Sequence, residues 1–276
     1  MAYETTSNEL LSIDGVPLST PAWDVLDYSD LLNGAPTRGA DITVSSRRGN
    51  IARRRTLDAS EASISLVIYG DRDPEGNAHA DVRSGLLSNI DALKKALRPN
   101  ATTLDGTRTL SLTIGEETRT ADVHTSPDIA ISALGPTAVR AVITLVIPTG
   151  VLRGASTVAN LSGTGEKTIT LAGSGEAYDA VVTVSGDADS LTIANLSYDA
   201  DGGVYLGYAY AFNGTLSFNA ETYVALYEGS PVTGKVVTAG TPVWLPLLPG
   251  ANLLEISAPG LVGSLTTTVT YRPVYL

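Results

Sequence analysis

VRAVITLVI, residues 139–147, indicates the fold class more clearly than any other segment. Every second residue of this segment is apolar, from Val139 through Ile143 to Ile147, so one face of an extended strand points into a core. ISLVIY, residues 64–69, is rich in β-branched residues and ends at Gly70, which again predicts a strand. Residues 109–114 and 119–125 continue the strand pattern. The first half of the chain is therefore predicted to be rich in β-structure.

One segment of this half has helical spacing instead. Its apolar residues recur at intervals of three and four and form one stripe. Asp81 is placed as an N-cap, and Pro99 follows the last apolar position. We predict a single helix over about residues 81–98, which makes the first half α+β. The residues of the stripe are Val82, Leu86, Leu87, Ile90, Leu93 and Leu97.

After Pro148-Thr149-Gly150 the composition shifts to Gly, Ser, Thr and Ala with few charges. We predict two domains, 1–152 and 153–276, and interpret residues 154–165 as a linker or the entry to the second domain. Asn213-Gly214 is predicted to be a two-residue hairpin turn, because Asn-Gly favours positive φ angles. Short strand patterns at close intervals predict a β-sandwich or jelly roll in the second half. They cover residues 168–171, 180–184, 191–196, 204–212, 215–218, 223–227, 236–237, 253–256 and 265–271.

Charge and composition exclude several classes of protein. The 276 residues carry a net charge of −11 and no cysteine, so disulfides and thiolate metal sites are excluded. An acidic chain of this kind disfavours binding driven by nucleic-acid phosphates. The N-terminus has no basic start or apolar core, and no run is long enough for a membrane helix. We therefore expect no membrane partner and no sequence-specific nucleic acid.

The sequence offers few residues that could carry out catalysis. His79 and His124 are the only histidines, and their separation gives no zinc pattern. No serine lies in a nucleophile-elbow motif, and no glycine-rich loop has the pattern that binds phosphate. Asp187-Ala188-Asp189 and Asp199–Gly203 could offer calcium ligands, but they are more typical of β-turns. We predict no catalytic, cofactor or metal site and no enzyme activity.

Two groups of residues are candidates for binding. Arg47, Arg48, Arg53, Arg54 and Arg55 place five of the 18 basic residues in nine positions. Such a cluster is either a solvated loop or an interface that meets an acidic surface of a neighbouring subunit. Trp244, Tyr205, Tyr208 and Tyr210 are weak candidates for sugar stacking, although alternate aromatics such as Tyr208 and Tyr210 more often pack inside a sheet.

Two groups of motifs lie at the two ends of the chain. The N-terminal motifs are Gly15-Val16-Pro17-Leu18, Trp23, Gly34–Asp41 and the basic stretch Arg47–Arg55. The C-terminal motifs are Trp244–Asn252 and Val269-Thr270-Tyr271-Arg272-Pro273. Each motif is only moderately specific, but in this order, which spans nearly the whole chain, they resemble the distal tail proteins of long-tailed, non-contractile bacteriophages, especially those of actinobacteria.

The resemblance implies a mainly β fold. Its first domain would be α+β, a β-sandwich or split barrel with one helix, and its second a galectin-like β-sandwich or jelly roll. It also implies a structural virion protein of the tail tip, assembled in the host cytoplasm as a homohexameric ring. Its expected partners are the tail-tube protein and the tail-tip or baseplate hub protein. The region from Arg47 to Leu66 would map to the ring interface, and an acidic lumen would let the genome pass.

Two other functions stay open at this point. One is another minor tail or tail-tube protein of the same virion, although tube subunits usually have a single domain of the first kind. The other is a carbohydrate-binding module that attaches the virion to its host through the second domain. Sugar binding that depends on Trp244 and the tyrosines would favour that module.

Overall fold

The computed structural model describes residues 9–34, 37–38, 42–43, 50–51, 56–98, 106–126, 128–198, 204–239 and 244–276. The chain folds into two compact units, Met1–Leu152 with Leu276, and Arg153–Tyr275. Within the described ranges, no helix is long and apolar enough to cross a membrane.

The first unit is built on one antiparallel sheet. Its strands follow the order β2-β1-β9-β10-β12-β8-β3, and β11 pairs with β12. The bounds are β1 Glu9–Ile13, β2 Val16–Pro17, β3 Trp23–Asp27, β4 Thr37–Arg38, β5 Ile42–Thr43, β6 Asn50–Ile51, β7 Thr56–Leu57, β8 Ser60–Tyr69, β9 Arg108–Ile114, β10 Glu117–Thr125, β11 Ala130–Ala133, β12 Ala138–Ile147 and β13 Leu152–Arg153. A 3-10 helix covers Ser29–Leu32.

β12 confirms the alternation of residues 139–147. Val139, Ala141, Ile143, Leu145 and Ile147 are all buried, and the residues between them are exposed or half-buried. β12 pairs along its whole length with β8, from Ala138 opposite Tyr69 to Ile147 opposite Ser60. Because side chains alternate across a strand, this register puts the apolar side chains of both strands into one core.

The predicted helix is confirmed as α1, Val82–Leu97. The Asp81 carboxylate accepts hydrogen bonds from the backbone N–H groups of Arg83 at 3.3 Å and Ser84 at 3.2 Å, as an N-cap does. The apolar stripe is narrower than predicted, because Leu87 is 64% exposed while Leu86, Leu93 and Leu97 are buried. α1 contacts β8.

A buried asparagine ties the segment after β8 to the helix. Asn89 Nδ2 donates to the carbonyl oxygens of Tyr69 and Arg72, both at 2.7 Å. Two glycines allow the close approach: a Cβ at Gly85 would overlap the Gly70 carbonyl oxygen, and a Cβ at Gly70 would overlap the Val82 carbonyl oxygen. Backbone therefore packs directly on backbone at this point.

An ion pair closes the first hairpin of the unit. Asp14-Gly15 connects β1 and β2 with positive φ at both residues. Asp14 Oδ2 accepts from Arg108 Nε at 2.7 Å, and Arg108 Nη2 donates to the Ala96 carbonyl at 2.9 Å. Burial alone would raise the pKa of Asp14, but the hydrogen bonds from Arg108 and Thr109 hold it below its usual value.

The Asp14 carboxylate contributes to the free energy of unfolding of the first unit, and this contribution depends on pH. Because its folded pKa is lowered, the contribution is present above pH 3.8, the usual pKa of an aspartate, and is lost as pH falls through the folded pKa. We expect Asp14→Asn to lower the free energy of unfolding by about 1 kcal/mol at neutral pH. The loss is small because Asp14 is partly exposed and solvent screens its ion pair with Arg108. The cost should shrink below about pH 3.8. Unfolding curves at neutral and acid pH check this, and an equal cost at both would contradict it.

The second unit is a β-sandwich of two antiparallel sheets. The six-stranded sheet has the order β14-β24-β16-β19-β20-β21, and the five-stranded sheet has the order β15-β23-β17-β18-β22. The bounds are β14 Thr157–Ser162, β15 Gly165–Leu171, β16 Val181–Ala188, β17 Leu191–Asn195, β18 Val204–Tyr208, β19 Phe212–Asn219, β20 Val224–Tyr227, β21 Ser230–Pro231, β22 Val236–Ala239, β23 Gly250–Ser257, β24 Val262–Tyr271 and β25 Val274–Tyr275. A short 3-10 helix covers Thr233–Lys235.

Two predictions in this half are wrong. Asn213-Gly214 is not a hairpin turn, because both residues lie inside β19 and pair with Asp187 and Gly186 of β16. The Asn213 side chain donates to Asp187 Oδ2 at 3.0 Å, so strand pairing outweighs the local turn preference. Of the two interpretations of residues 154–165, the domain entry fits and the linker does not, because β14 lies within them and pairs with β24 of the second unit. The strand predicted to reach Phe212 ends at Tyr208.

Two buried asparagines hold the loop that precedes β23. Asn252 Oδ1 accepts from the Leu248 N–H at 2.8 Å, while its Nδ2 donates to the Leu248 carbonyl at 2.8 Å and the Gly250 carbonyl at 3.1 Å. Asn195 Nδ2 donates hydrogen bonds to both Asn252 Oδ1 and the Pro246 carbonyl oxygen. These contacts fix the turn inside the motif Trp244–Asn252.

Candidate intersubunit surface

An exposed, uncharged hairpin projects from the sheet of the first unit. We define the β11 hairpin as residues 129–139, which contain no charged residue and lie between Asp128 and Arg140. Residues 130–137 are all exposed, and the apolar Ile131 and Leu134 are 39% and 57% exposed. An uncharged apolar segment of this kind is typical of a surface that another protein covers.

β11 also has an open edge. Among the described strands, β11 pairs only with β12, so its other side carries unpaired N–H and C=O groups. Proteins usually protect such edges with charges, proline or a bulge. β11 has none of these, since its sequence is Ala-Ile-Ser-Ala and its register with β12 is regular. This edge can accept a strand from another chain.

The opposite edge of the same sheet is formed by β3. Among the described strands, β3 pairs only with β8, and its register shifts between Val25 and Asp27. Leu26 lies at this bulge and is exposed. Bulges and charges protect an edge from non-specific pairing, so β3 is the better protected of the two edges.

An acidic face lies on the solvent side of β3 and β8. We define it by Asp24, Asp27, Asp30 and Glu61. Asp24 and Asp27 are registered with Val67 and Ser65 on the same side of the sheet as Glu61. Asp30 lies on the same side, because its Oδ2 accepts hydrogen bonds from the backbone N–H and the hydroxyl of Ser63. The face therefore carries four carboxylates.

One cation approaches the acidic face from β12. Arg140 Nε and Nη2 donate to Ser65 Oγ at 2.9 and 2.7 Å. Hydrogen bonds from the Ser29 backbone and side chain lower the pKa of Asp27, and the Arg140 charge adds to this effect. Desolvation raises the pKa of Tyr69, helped by the charges of Asp24 and Asp71. This face is therefore complementary to a basic partner.

Two short strand pairs are described in the part of the sequence that contains the predicted arginine cluster. β4 pairs with β7, Thr37 opposite Leu57, and β5 pairs with β6, Ile42 opposite Ile51. We call residues 37–57 the arm. Both pairings are antiparallel, and β5 and β6 lie between β4 and β7 in the sequence. Arg47, Arg48, Arg53, Arg54 and Arg55 lie outside the described residues, so their contacts stay a prediction.

The four sugar-stacking candidates do not form one surface. Trp244 is buried and packs edge-on against Tyr223, with ring centroids 5.6 Å apart. Tyr208 is also buried, whereas Tyr210 is 52% exposed with Lys235 Nζ 4.9 Å from its ring centroid. Tyr205 lies on the solvent side of β18, opposite to Tyr208. Because stacking needs an open ring, Trp244 and Tyr208 do not meet the requirement.

The described residues show no grouping for metal chemistry. In these ranges no three His, Asp or Glu side chains are placed to hold a metal ion. Of the two aspartate-rich stretches weighed as calcium ligands, residues 187–189 are described and residues 199–203 lie outside the described ranges. The two histidines occupy different surroundings: His79 Nε2 lies 3.4 Å from Asn89 Oδ1, and His124 is exposed on β10.

Sequence reasoning missed the β11 hairpin. Its residues fit no binding motif, and the alternation of the strand that follows indicates only a core. The signal that could have found it is the run of eleven uncharged residues between Asp128 and Arg140.

The same architecture occurs in a solved phage protein. No protein-family model and no curated protein matches the sequence. The crystal structure of the Dit protein of SPP1, described as a paradigm of the hub adsorption apparatus in phages that infect Gram-positive bacteria, matches with a TM-score of 0.67 and 14% identity. The match covers 97% of this chain and 99% of that chain.

Two structures of the phage P2 baseplate in its activated conformation match less closely. The structure with Ca has a TM-score of 0.40 and 9% identity over 96% of this chain and 98% of its own. The structure with Sr has a TM-score of 0.35 and 11% identity over 95% and 97%. Of these three structures, only that of SPP1 is similar enough to define the architecture. Over nearly its whole length this chain has the fold of the SPP1 Dit protein, and its resemblance to the distal tail protein family is confirmed at the level of fold.

Proposed function

We propose that the chain is a structural hub protein of a long-tailed phage. Six copies would form a ring at the tail tip, between the tail-tube protein and the tail-tip or baseplate hub protein. The observation that carries this proposal is the match to the SPP1 Dit protein over both units of the chain. The second unit favours a hub over a tail-tube subunit, which usually has one domain.

In this proposal the first unit makes the contacts between copies. The β11 hairpin supplies an open, uncharged edge, and β3 lies at the other end of the same sheet. Two different edges on one subunit allow head-to-tail pairing, which closes into a ring when the rotation between neighbours closes. The ring would also cover an edge that otherwise invites aggregation.

The arm supplies the second contact. Its five arginines match in charge the acidic face of Asp24, Asp27, Asp30 and Glu61 on a neighbouring copy. Bidentate guanidinium–carboxylate pairs suit such an interface because they fix geometry as well as charge.

Replacing Arg53, Arg54 and Arg55 with Ala should weaken self-assembly. Removing three charges from the arm lowers its attraction to the acidic face, and surface positions should change the free energy of unfolding by only about 1 kcal/mol. Light scattering on a sizing column measures the loss of assembled mass. Assembly equal to that of the unchanged chain would contradict a role for these arginines in the interface.

Ile131→Lys should disrupt the ring through the open edge. A lysine on an edge strand opposes pairing with a second chain because its charge would be buried. We expect the variant to stay folded but to shift toward the monomer in light scattering. The matched control is Leu87→Lys, which places the same charge on an exposed leucine of α1. An equal effect of both substitutions would contradict a specific role for β11.

A further inference from the structure

The sequence contains two Asn-Gly pairs, Asn33-Gly34 and Asn213-Gly214. An asparagine followed by glycine is prone to lose its side-chain amide, because glycine has no Cβ that would hinder its backbone nitrogen from reaching the asparagine side chain. The two pairs share this local chemistry but lie in different surroundings. The fold therefore decides which of them can react.

Asn33-Gly34 lies on the surface of the first unit. Asn33 follows the 3-10 helix Ser29–Leu32 with an extended backbone, φ −80° and ψ 133°, and both residues of the pair are exposed. The Asn33 N–H donates to the Asp30 carbonyl oxygen at 3.3 Å. Among the described residues, the Asn33 side chain and the Gly34 N–H make no hydrogen bond. The carbon that would be attacked and the attacking nitrogen are therefore both free to approach each other.

Asn213-Gly214 is held by strand pairing. Both residues lie inside β19, opposite Asp187 and Gly186 of β16. Asn213 Nδ2 donates to Asp187 Oδ2 at 3.0 Å, and the Tyr227 hydroxyl contacts both the N–H and the carbonyl oxygen of Asn213. Rotation of Asn213 toward the attacking geometry needs local opening of the sheet, which these contacts oppose.

The other described asparagines lack one of the two conditions. Asn77 and Asn219 precede alanine, but the Asn77 side-chain amide donates to Asp73, and the Asn219 side-chain oxygen accepts from the backbone of Glu221 and Thr222. The rest precede leucine or isoleucine, whose side chains hinder the attack. Among the described asparagines, Asn33 alone combines a following glycine with a side chain that makes no hydrogen bond.

We propose that Asn33 is a site of spontaneous deamidation and that the fold protects Asn213 from the same reaction. The Gly34 nitrogen gives its proton to water and bonds to Asn33 Cγ, the Cγ–Nδ2 bond breaks, and ammonia leaves after taking a proton from water. The product is a cyclic imide. Water then adds to one of its two carbonyl carbons: opening at Cγ gives aspartate, and opening at the main-chain carbon gives isoaspartate. In sum, an amide and water become a carboxylate and ammonium, with no oxidation or reduction.

The new charge lies between two surfaces of the first unit. Asn33 separates Asp30, which belongs to the acidic face, from Thr37, where the arm begins. Deamidation therefore turns a neutral junction between these surfaces into an acidic one, and isoaspartate lengthens the backbone there by one atom.

Ageing of the purified full chain in mildly alkaline buffer tests the proposal. Proteolysis and tandem mass spectrometry locate the mass gain of about 1 Da at each asparagine, and labelling by an isoaspartyl methyltransferase measures the isoaspartate. In the folded chain we expect Asn33 to react more than about tenfold faster than Asn213, because reaction at Asn213 requires opening of the sheet. In urea the two rates should come within about twofold, since only the shared Asn-Gly sequence then matters.

Gly34→Ala is the matched variant, because its Cβ would lie 3.8 Å from the Leu276 backbone carbon, an ordinary contact. The added Cβ should slow deamidation of Asn33 about tenfold, and circular dichroism checks that the variant is folded. The proposal is overturned if Asn33 stays intact in the folded chain, if Asn213 reacts there as fast as Asn33, or if Gly34→Ala leaves the rate at Asn33 unchanged.

Discussion

Gly85→Ala should destabilise the first unit by about 4 kcal/mol, although alanine is the better helix former. Helix propensity alone predicts a gain of about 1 kcal/mol for this change. In the structure, however, a Cβ at Gly85 would overlap the Gly70 carbonyl oxygen and the His79 ring. The carbonyl belongs to the backbone next to Tyr69, which Asn89 holds by a hydrogen bond, so the overlap cannot be relieved by a rotamer change.

The two tryptophans allow each unit to be followed separately. Trp23 lies in the first unit and Trp244 in the second, and the chain has no other. Urea unfolding of Gly85→Ala in a Trp244→Phe background reports the first unit through Trp23. Gly135→Ala is the matched control, because a Cβ there meets nothing within 4 Å. A Gly85→Ala variant as stable as its parent would show that the helix does not pack on this backbone.

Asn252→Ala should destabilise the second unit by about 3 to 4 kcal/mol. The substitution leaves the Leu248 N–H and the carbonyl oxygens of Leu248 and Gly250 without their partner, and Asn195 loses one acceptor. An unsatisfied buried polar group costs about 1 to 3 kcal/mol, and water offsets part of the loss at the half-buried Leu248 and the exposed Gly250. The loss should therefore exceed that of an ordinary single hydrogen bond.

Urea unfolding followed by Trp244 in a Trp23→Phe background measures this loss. Asn160→Ala is the control, since Asn160 Oδ1 accepts one hydrogen bond, from Thr268 Oγ1 at 3.0 Å, on an exposed strand. That change should cost less than about 1 kcal/mol. Similar losses for Asn252→Ala and Asn160→Ala would mean that the buried asparagine pair does not support the loop.

The helix and the long strands could be predicted because their signals are local. α1 follows from apolar spacing and from the Asp81 cap, and β12 follows from strict alternation. Leu87 marks the limit of this reasoning. Spacing places it beside the buried Leu86, but only the packing of α1 on β8 decides how wide the buried stripe is.

Asn213-Gly214 shows how tertiary pairing overrides a local preference. The pair favours a turn in a short peptide, yet eight consecutive residues of β19 pair with β16 and hold it in a strand. Glu228 supports this arrangement, because its Oε1 accepts from the Thr215 N–H. None of these partners is close in sequence to Asn213, so a local window could not find them.

The candidate surfaces depend even more on distant contacts. The arginine cluster is visible in the sequence, but the acidic face forms only when β3 and β8 pair and bring Asp24, Asp27 and Glu61 to one side. Tyr205 is one of four aromatic candidates in the sequence. Strand registers and burial separate it from Tyr208, which lies in the core.

The mass of the purified chain in solution distinguishes a ring from separate copies. Light scattering on a sizing column over a range of protein concentrations resolves a single chain of 28.6 kDa from a ring of six, about 172 kDa. We expect the mass of the ring, with no stable open oligomer of higher mass. A mass of 28.6 kDa at every concentration, or a closed dimer, would contradict a ring built from the two edges of the first unit.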